Sequence, residues 1–270
     1  MKTFIRAAAA LALVIPVSAH AHKAWLLPSS TVLSGSGNDL AVTIDAAASN
    51  DLFYFDHRPL PLDGLVVTAP DGSKVAPENA STGKYRSSFD LALKAPGTYR
   101  VSLVNDNLFA SYKENGAEKR WRGKAENLAK EIPASATDLK VTQSTRRLET
   151  FVTAGKPDEA ALKPVGNGLE MVPVTHPNDL VEGDEAEFKL LLDGKPAADV
   201  KVEIVRGGIR YRNQLGDTTV TTDKDGVFKF KWPEPGMYWL EASVTDDKTT
   251  IKEAKERRAG YAATLEVLPE

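Results

Sequence analysis

The chain contains 270 residues, of which 34 are basic and 37 acidic, and its formal net charge is -3. This balance, with both signs interspersed, argues against a nucleic-acid partner, which would require a basic surface. There is no cysteine. Disulfides and thiolate metal sites are therefore excluded, and histidine, carboxylates and a free amino terminus remain as ligands for a transition metal.

The first 21 residues have the pattern of a secretory signal peptide. Lys2 and Arg6 form a basic start, residues 7–15 an apolar segment and residues 16–21 a short cleavage region. The apolar segment is too short to cross a bilayer, which takes about 20 residues. We expect residues 1–21 to be removed on export to a bacterial periplasm, and we predict no transmembrane segment in the mature chain.

Two cleavage positions satisfy the preference for small residues around the cut. Cleavage after Ala21 is favoured, because Ala19 and Ala21 occupy the constrained positions, and cleavage after Ala19 is the alternative. In both cases a histidine becomes the first residue of the mature chain. Such a residue is chemically unusual, since its free amine and its ring nitrogen can close a chelate ring on one metal ion.

Several segments alternate apolar and polar residues at the period of a β-strand, among them residues 65–68, 99–103 and 200–205. Turn sequences such as Pro-Asp-Gly at 70–72 and Asp-Gly-Lys-Pro at 193–196 lie between such segments. Many short strands with frequent turns predict antiparallel β-sandwiches.

One hairpin sequence occurs twice. Residues 89–101 and 228–240 both indicate a strand, a Pro-Gly turn and a second strand, with a tyrosine two residues after the glycine. The repetition predicts two sandwiches of related design. Between them, the charged residues 112–124 are expected to form a solvated face, and residues 125–132 about two turns of helix that end at Pro133.

The fold class expected is therefore all-β, with two antiparallel β-sandwich domains after a cleaved signal peptide. The expected parts are the signal peptide (1–21), an N-terminal sandwich (22–154) with a short helical insertion near 123–132, a Gly/Pro-rich linker (155–168) and a C-terminal immunoglobulin-like sandwich (169–270).

Three histidines remain after cleavage at Ala21, and all three are candidate metal ligands: His22, His57 and His176. The amine and ring of His22 with one further imidazole give three nitrogens in a roughly planar T, which suits Cu(II) or Ni(II). His57, two residues before Pro59, and His176, directly before Pro177, each lie at a predicted strand-to-loop boundary, a common place for binding residues. We predict His57 as the second imidazole ahead of His176.

Each candidate also has a purely structural interpretation. Cleavage leaves whatever residue follows the cut, so His22 can be present by chance. His57 can be a hydrogen-bonded surface residue between charged neighbours, and His176 a plain histidine of an interdomain loop. Cleavage after Ala19 would instead give an amino-terminal motif with histidine in third place, which binds the same class of metal.

Four segments resemble the exported proteins of domain-of-unknown-function family 4198. They are HKAWLLP at 22–28, LEMVP at 169–173, Leu180-x-x-Gly183 and LDGKP at 192–196. The resemblance spans nearly the whole mature chain. It implies a periplasmic protein associated with nickel or cobalt uptake, with a prealbumin-like or immunoglobulin-like second domain.

The resemblance of the segment HKAWLLP to the start of the family's mature sequence implies that His22 is a metal ligand. Family members commonly have an acidic residue after this histidine, whereas this chain has Lys23. A carboxylate ligand from that position is therefore not available in this chain.

The sequence thus predicts a non-enzymatic periplasmic protein that binds nickel, cobalt or copper and passes the ion to, or holds it for, a membrane uptake system. A second hypothesis is a metal-free β-sandwich accessory or adhesion module for a polysaccharide or an outer-membrane receptor. A third is an oxidative copper enzyme, which would need an open face for dioxygen and substrate. The sequence contains neither a nucleophile elbow nor a phosphate-binding glycine loop.

Overall fold

The computed structural model describes residues 22–35, 37 and 39–270. The predicted signal peptide over residues 1–21, with both cleavage positions, lies outside these described residues. Strands make up 54% of the structure and helices 5%. The prediction of an all-β protein built from antiparallel sheets with a short helix is therefore confirmed. Within the described ranges, no helix has the length and apolarity that crossing a membrane requires.

The chain forms short and long strands in both halves. In chain order the strands are β1 (Lys23–Pro28), β2 (Val32–Leu33), β3 (Ala41–Ser49), β4 (Arg58–Pro59), β5 (Leu65–Thr68), β6 (Lys74–Val75), β7 (Glu78–Thr82), β8 (Ser87–Ala92), β9 (Gly97–Glu114), β10 (Ala117–Gly123), β11 (Thr137–Ala154), β12 (Leu169–Pro173), β13 (Glu185–Leu192), β14 (Lys195–Pro196), β15 (Lys201–Arg206), β16 (Thr218–Thr221), β17 (Val227–Lys231), β18 (Gly236–Asp246) and β19 (Glu256–Val267). Helix α1 (Leu128–Glu131) follows a 3-10 turn at Ala125–Asn127, and further 3-10 turns lie at Ala160–Leu162 and Ile209–Tyr211. The helical insertion thus lies between β10 and β11.

A ten-stranded sheet forms the centre of the molecule. Its order is β16-β15-β18-β19-β11-β9-β5-β6, with β10 paired to β9 and β2 paired to β11. Strands from both predicted domains belong to it, because β11 pairs in parallel with β19 from Thr142–Glu256 to Thr150–Thr264. One continuous sheet therefore crosses the expected domain boundary at residues 155–168.

Two smaller sheets cover opposite faces of the central sheet. The sheet β1-β3-β8-β7, with β4, packs through a core that includes Trp25, Phe89 and Leu148. The sheet β12-β13-β14, with β17, packs through a second core that includes Phe188 and Phe151. Leu148 and Phe151 are three residues apart on β11 and so point to opposite faces. The two sandwiches share their middle layer.

The repeated hairpin sequence forms the same local structure in both places. Tyr99 donates a hydrogen bond from its hydroxyl to the carbonyl of the residue four positions earlier (3.0 Å), and Tyr238 does the same (2.7 Å). The glycines two residues before these tyrosines, Gly97 and Gly236, have φ values of 125° and 132°. An added Cβ at Gly97 would lie 1.9 Å from the carboxylate of Asp158, so this turn requires glycine.

Glu149 of β11 is buried and joins three strands of the central sheet. Its carboxylate accepts hydrogen bonds from the hydroxyls of Ser102 (2.7 Å) and Tyr261 (3.0 Å). The guanidinium groups of Arg147 and Arg100 lie 3.5 and 3.9 Å from the same carboxylate. Burial, and then the charge of Glu149, raises the pKa of Tyr261 well above its usual value. This network ties β9 and β11 of the N-terminal half to β19 of the C-terminal half.

The segment predicted as a linker, residues 155–168, is bonded to the protein along its length. Arg100 donates from Nη1 to a backbone carbonyl of this segment (2.9 Å). The buried carboxylate of Glu170 accepts hydrogen bonds from the backbone N–H groups of Val165 (2.6 Å) and Gly166 (2.7 Å). The connection from β11 to β12 is therefore an ordered part of the fold.

We expect Glu149→Gln to lower the free energy of unfolding by about 3–5 kcal/mol, because it leaves two buried guanidinium groups without their carboxylate. Urea denaturation followed by tryptophan fluorescence measures this. The matched control Glu187→Gln removes a carboxylate that pairs with Lys229 near the surface (3.1 Å), and it should cost less than about 1 kcal/mol. Equal effects of the two substitutions would contradict a structural role for the buried network.

Candidate functional site

His22 directly precedes β1, and two tryptophans fix the strand behind it. Trp239 of β18 donates from Nε1 to the carbonyl of Ala24 (3.0 Å), and Trp25 donates from Nε1 to the hydroxyl of Ser49 (2.8 Å). Both tryptophans are buried. The backbone is therefore held in place up to the residue next to His22, while His22 itself is exposed.

Lys23 provides a further anchor at the start of β1. Its ammonium group lies 2.7 Å from the carboxylate of Glu203 and 4.3 Å from the centroid of the Trp239 ring. The side chain of Lys23 is only 12% exposed, so the ion pair and the cation–π contact are shielded from water. Lys23 thus joins β1 to two strands of the central sheet, β15 and β18.

His57 lies at the end of the loop between β3 and β4. The carboxylate of Asp56 accepts hydrogen bonds from the backbone N–H groups of Asn50 (2.9 Å) and Asp51 (3.1 Å), which closes this loop. Directly after His57, Arg58 pairs with β3 in the sheet. The position of His57 is therefore set by hydrogen bonds on both sides.

The register of β3 explains why His22 and His57 meet. In β1, Lys23 lies opposite Ser49, and in β4, Arg58 lies opposite Ala48. The histidines that precede these two residues therefore come just beyond the same end of β3, on either side of it. Their rings stack, with centroids 3.5 Å apart and planes 9° from parallel. The structure brings two of the three predicted ligands into contact.

The His22–His57 contact places two imidazoles side by side, but the stacked rings do not themselves form a metal site. The lone pair of an imidazole nitrogen lies in the plane of its ring, so these two nearly parallel rings, 3.5 Å apart, must turn about their side-chain torsions before both can bind one ion. Within the described residues, no group of three or more histidine, aspartate or glutamate side chains is placed to hold a metal. The third donor of the predicted set is the amine of His22, which is an amide in the unprocessed chain.

The surroundings of His57 favour its neutral ring. Its pKa lies below the ordinary value of 6.5, first because of desolvation and then because of the charges of His22 and Arg58, against an opposing effect of Asp56. A neutral imidazole is the form that binds a metal. The ring of His57 is therefore in the form that binds a metal at neutral pH.

The structure separates His176 from the other two candidates. Its Nε2 lies 3.0 Å from the Thr98 hydroxyl and 3.1 Å from the carbonyl of Asp158, and its Nδ1 accepts a hydrogen bond from the backbone N–H of Asn178 (3.2 Å). Burial lowers its pKa. Nε2 thus contacts the central sheet and the connecting segment, and Nδ1 accepts a hydrogen bond within the loop that carries His176, so both ring nitrogens are engaged. Here the interdomain interpretation applies, and His176 does not join His22 and His57.

A groove of about 580 Å³ opens beside His22. We call it the arginine groove, after the charged residues that line it: Arg58, Arg122, Arg146, Arg258, Glu241 and Glu256. The pKa of Arg58 lies below its usual value, first because the groove partly removes it from water and then because Arg122 and Arg146 are near. The guanidinium groups thus face a common space.

A family model described as "Domain of unknown function (DUF4198)" matches residues 19–246. The chain belongs to the DUF4198 family. The predicted family is confirmed, and the description assigns it no function. In this DUF4198 protein, Lys23 takes the place of the expected acidic residue, and its contacts show that it anchors β1.

No curated protein matches the chain. Among solved structures, the DUF4198 chain is similar to the D0-D1 domain of intimin, at 13% identity and a TM-score of 0.22, with 89% of this chain and 96% of that chain covered. It is also similar to Escherichia coli alpha-2-macroglobulin activated by porcine elastase (13%, TM-score 0.22, 93% and 20%) and a marsupial T cell receptor (12%, TM-score 0.22, 92% and 74%). These values assign no function.

The arginine groove was not predicted from the sequence. Residues 112–124 are mostly exposed, as expected for a solvated face, and they form the end of β9 and the strand β10, from which Arg122 lines the groove. The sequence does contain one indication, the run of consecutive polar residues from Thr142 to Arg147. This sequence indicates that the strand has a polar face, but it does not indicate which neighbouring strands form the rest of the groove.

We expect the His57 ring to titrate below pH 6.5 in the NMR spectrum, and we expect His22→Ala to raise its pKa, because the substitution removes a neighbouring charge and exposes the ring. The control His176→Gln should leave the His57 titration unchanged. A His57 pKa at or above 6.5, or one that does not respond to His22→Ala, would show that the two rings are not in contact.

Proposed function

We propose that the exported and processed protein binds a divalent transition metal ion, nickel, cobalt or copper, and that it serves metal uptake as a non-enzymatic binding protein. The donors are the amine and ring of His22 and the ring of His57. The observation that carries this proposal is the contact of the two rings, 3.5 Å apart at the end of β3. The proposed compartment is the periplasm, where cleavage after Ala21 would create the amine.

The chemistry of the donors supports this class of metal. Nitrogen donors from imidazole and amine suit nickel, copper and cobalt, whereas calcium and magnesium prefer oxygen. The lowered pKa of His57 keeps its ring unprotonated at neutral pH. No proton then has to leave this ring when the ion binds, which favours binding at neutral pH.

The position of the pair supports a role in transfer. His22 is exposed, and the backbone behind it is fixed by buried tryptophans. Three nitrogens leave coordination positions of the ion open for water or for a donor from a receiving protein. An ion held in this way can be exchanged, while a structural site encloses its metal completely.

We expect the protein that begins with His22 to bind Ni(II), Co(II) or Cu(II) with micromolar or higher affinity in isothermal titration calorimetry. Acetylation of the amino group and the substitution His57→Ala each remove one nitrogen, and each should weaken binding by at least about 100-fold. The control His176→Gln should change the affinity by less than about 2-fold, since His176 lies elsewhere. Binding that survives acetylation unchanged would exclude the proposed donor set.

Affinity should fall as the pH is lowered, because protons compete for all three nitrogens. The amine, with an ordinary pKa of about 7.7–8.0, loses its donor form first as the pH falls. Since the pKa of His57 is lowered, its contribution persists below pH 6.5 and disappears only at still lower pH. Calorimetric titrations at pH 8, 7, 6 and 5 test this order. A constant affinity across that range would contradict nitrogen ligation.

A further inference from the structure

The arginine groove is an uncovered part of one face of the central sheet. Near the middle of the sheet, this face is covered by the sheet that contains β1, through core residues such as Leu148 and Leu103. Further along β9 and β11 the same face is open. At this end of β9 and β11, the opposite face of the sheet is covered by a small apolar cluster. The cluster includes Val141 of β11 and Leu128 of the helical insertion. Only the groove side is therefore free for a ligand.

Strand register aligns the groove residues in rows across the sheet. Residues that lie directly opposite each other in paired strands point to the same face. The three rows across β9, β11 and β19 are Phe109, Thr142 and Glu256, then Asn107, Ser144 and Arg258, then Asn105, Arg146 and Gly260. All nine line the groove. The polar lining is thus a property of the sheet and not of a loose loop.

The groove carries more positive than negative side chains. It contains four arginines and two glutamates, although the whole chain has a net charge of -3. Arg146 is paired with Glu241 at 2.5 Å, across the strand that carries Gly260. Arg58, Arg122 and Arg258 form no salt bridge with any residue of the described chain. Three guanidinium groups are therefore without an anionic partner among residues 22–35, 37 and 39–270.

The floor and the size indicate what kind of anion fits. Asn105, Asn107 and Ser144 offer amide and hydroxyl groups along the floor. The guanidinium of Arg122 lies over the ring of Phe109, 5.4 Å from its centroid, which holds it at the wall. A volume of about 580 Å³ falls within the range of small-molecule sites.

We infer that the arginine groove binds a small hydroxy-polycarboxylate, with its carboxylates on Arg58, Arg122 and Arg258 and its hydroxyl on the polar floor. Guanidinium and carboxylate form paired, charge-assisted hydrogen bonds, for which three separated arginines suit three separated carboxylates. The three arginines stand on different strands, β4, β10 and β19, which suits three separate carboxylates better than one compact phosphate. Glu241 and Glu256 can accept hydrogen bonds from the hydroxyl of the ligand. Carboxylates are common to the free acid and to its complex with a metal ion, in which some of their oxygens also coordinate the ion, and the titrations below distinguish the two.

The groove and the metal site are neighbours, because His22 lines the groove. A polycarboxylate is a metal chelator, so a complex bound in the groove would bring its ion next to His22. The binding of the carboxylate does not depend on the proposed metal site, however. It is tested on metal-free protein, and the two proposals can therefore fail separately.

Citrate is the probe, titrated into metal-free protein in calorimetry, with inorganic phosphate as the comparison anion. We expect citrate to bind in the micromolar range and phosphate at least about 10-fold more weakly. Arg122→Gln and Arg258→Gln should each weaken citrate binding by at least about 10-fold, the loss expected for one charge-assisted hydrogen bond. Both residues are exposed, so both variants are expected to fold, and circular dichroism verifies this.

Lys119→Gln is the matched control, because it removes the same charge from the exposed, opposite face of β10. It should leave citrate binding within about 2-fold of the unchanged protein. No binding of citrate at millimolar concentration, equal binding of phosphate, or equal losses in the control and the groove variants would each overturn the inference. Tighter binding of nickel–citrate than of citrate identifies a metal complex as the ligand, and equal binding identifies the free acid. Both of these results support the groove.

Discussion

Parallel pairing of β11 with β19 determines the rest of the architecture. It joins the two halves of the chain into one ten-stranded sheet, whose two faces then receive one smaller sheet each. The buried carboxylate of Glu149 stabilises this junction by bonding to residues of β9 and β19. Without the junction, the arginine groove would lose either Asn105 and Arg122 on one side or Glu241 and Arg258 on the other.

The positions of the histidine pair and of the arginine groove follow from this arrangement, because both lie at the edge of the smaller sheet that contains β1. Strand β1 contacts the central sheet through Lys23 and Ala24, and Trp25 lies in the core between the two sheets. The residue before them therefore lies where the covered part of the sheet face ends. His22 therefore meets His57 on one side and the open groove on the other. Because His22 is exposed, an ion can reach it, and because β1 is anchored directly after it, its position is defined.

Local patterns in the sequence predicted the elements, but not their assembly. Alternating residues and Pro-Gly turns indicated the strands, and the repeated tyrosines do form the same hydrogen bond in both hairpins. The shared sheet was not predictable, because Thr142 and Glu256 are distant in the chain and their strands contain no signal for a partner. The groove has the same origin, since its rows combine single residues from several strands.

The positions of the histidines relative to one another also could not be predicted from local sequence patterns. His57 and His176 both lie at a predicted strand-to-loop boundary with a proline nearby, so the sequence alone could not separate them. The difference lies in long-range contacts. His57 lies beside the start of β1, whereas the ring of His176 is hydrogen-bonded to Thr98 and Asp158 at the other end of the central sheet.

Pulsed electron paramagnetic resonance of the processed protein loaded with one equivalent of Cu(II) tests the proposed metal centre most directly. The account predicts equatorial nitrogen ligation with two imidazoles, from His22 and His57, and an amine detectable by isotopic labelling of the first residue. A spectrum with a single imidazole, or with oxygen donors alone, would contradict it.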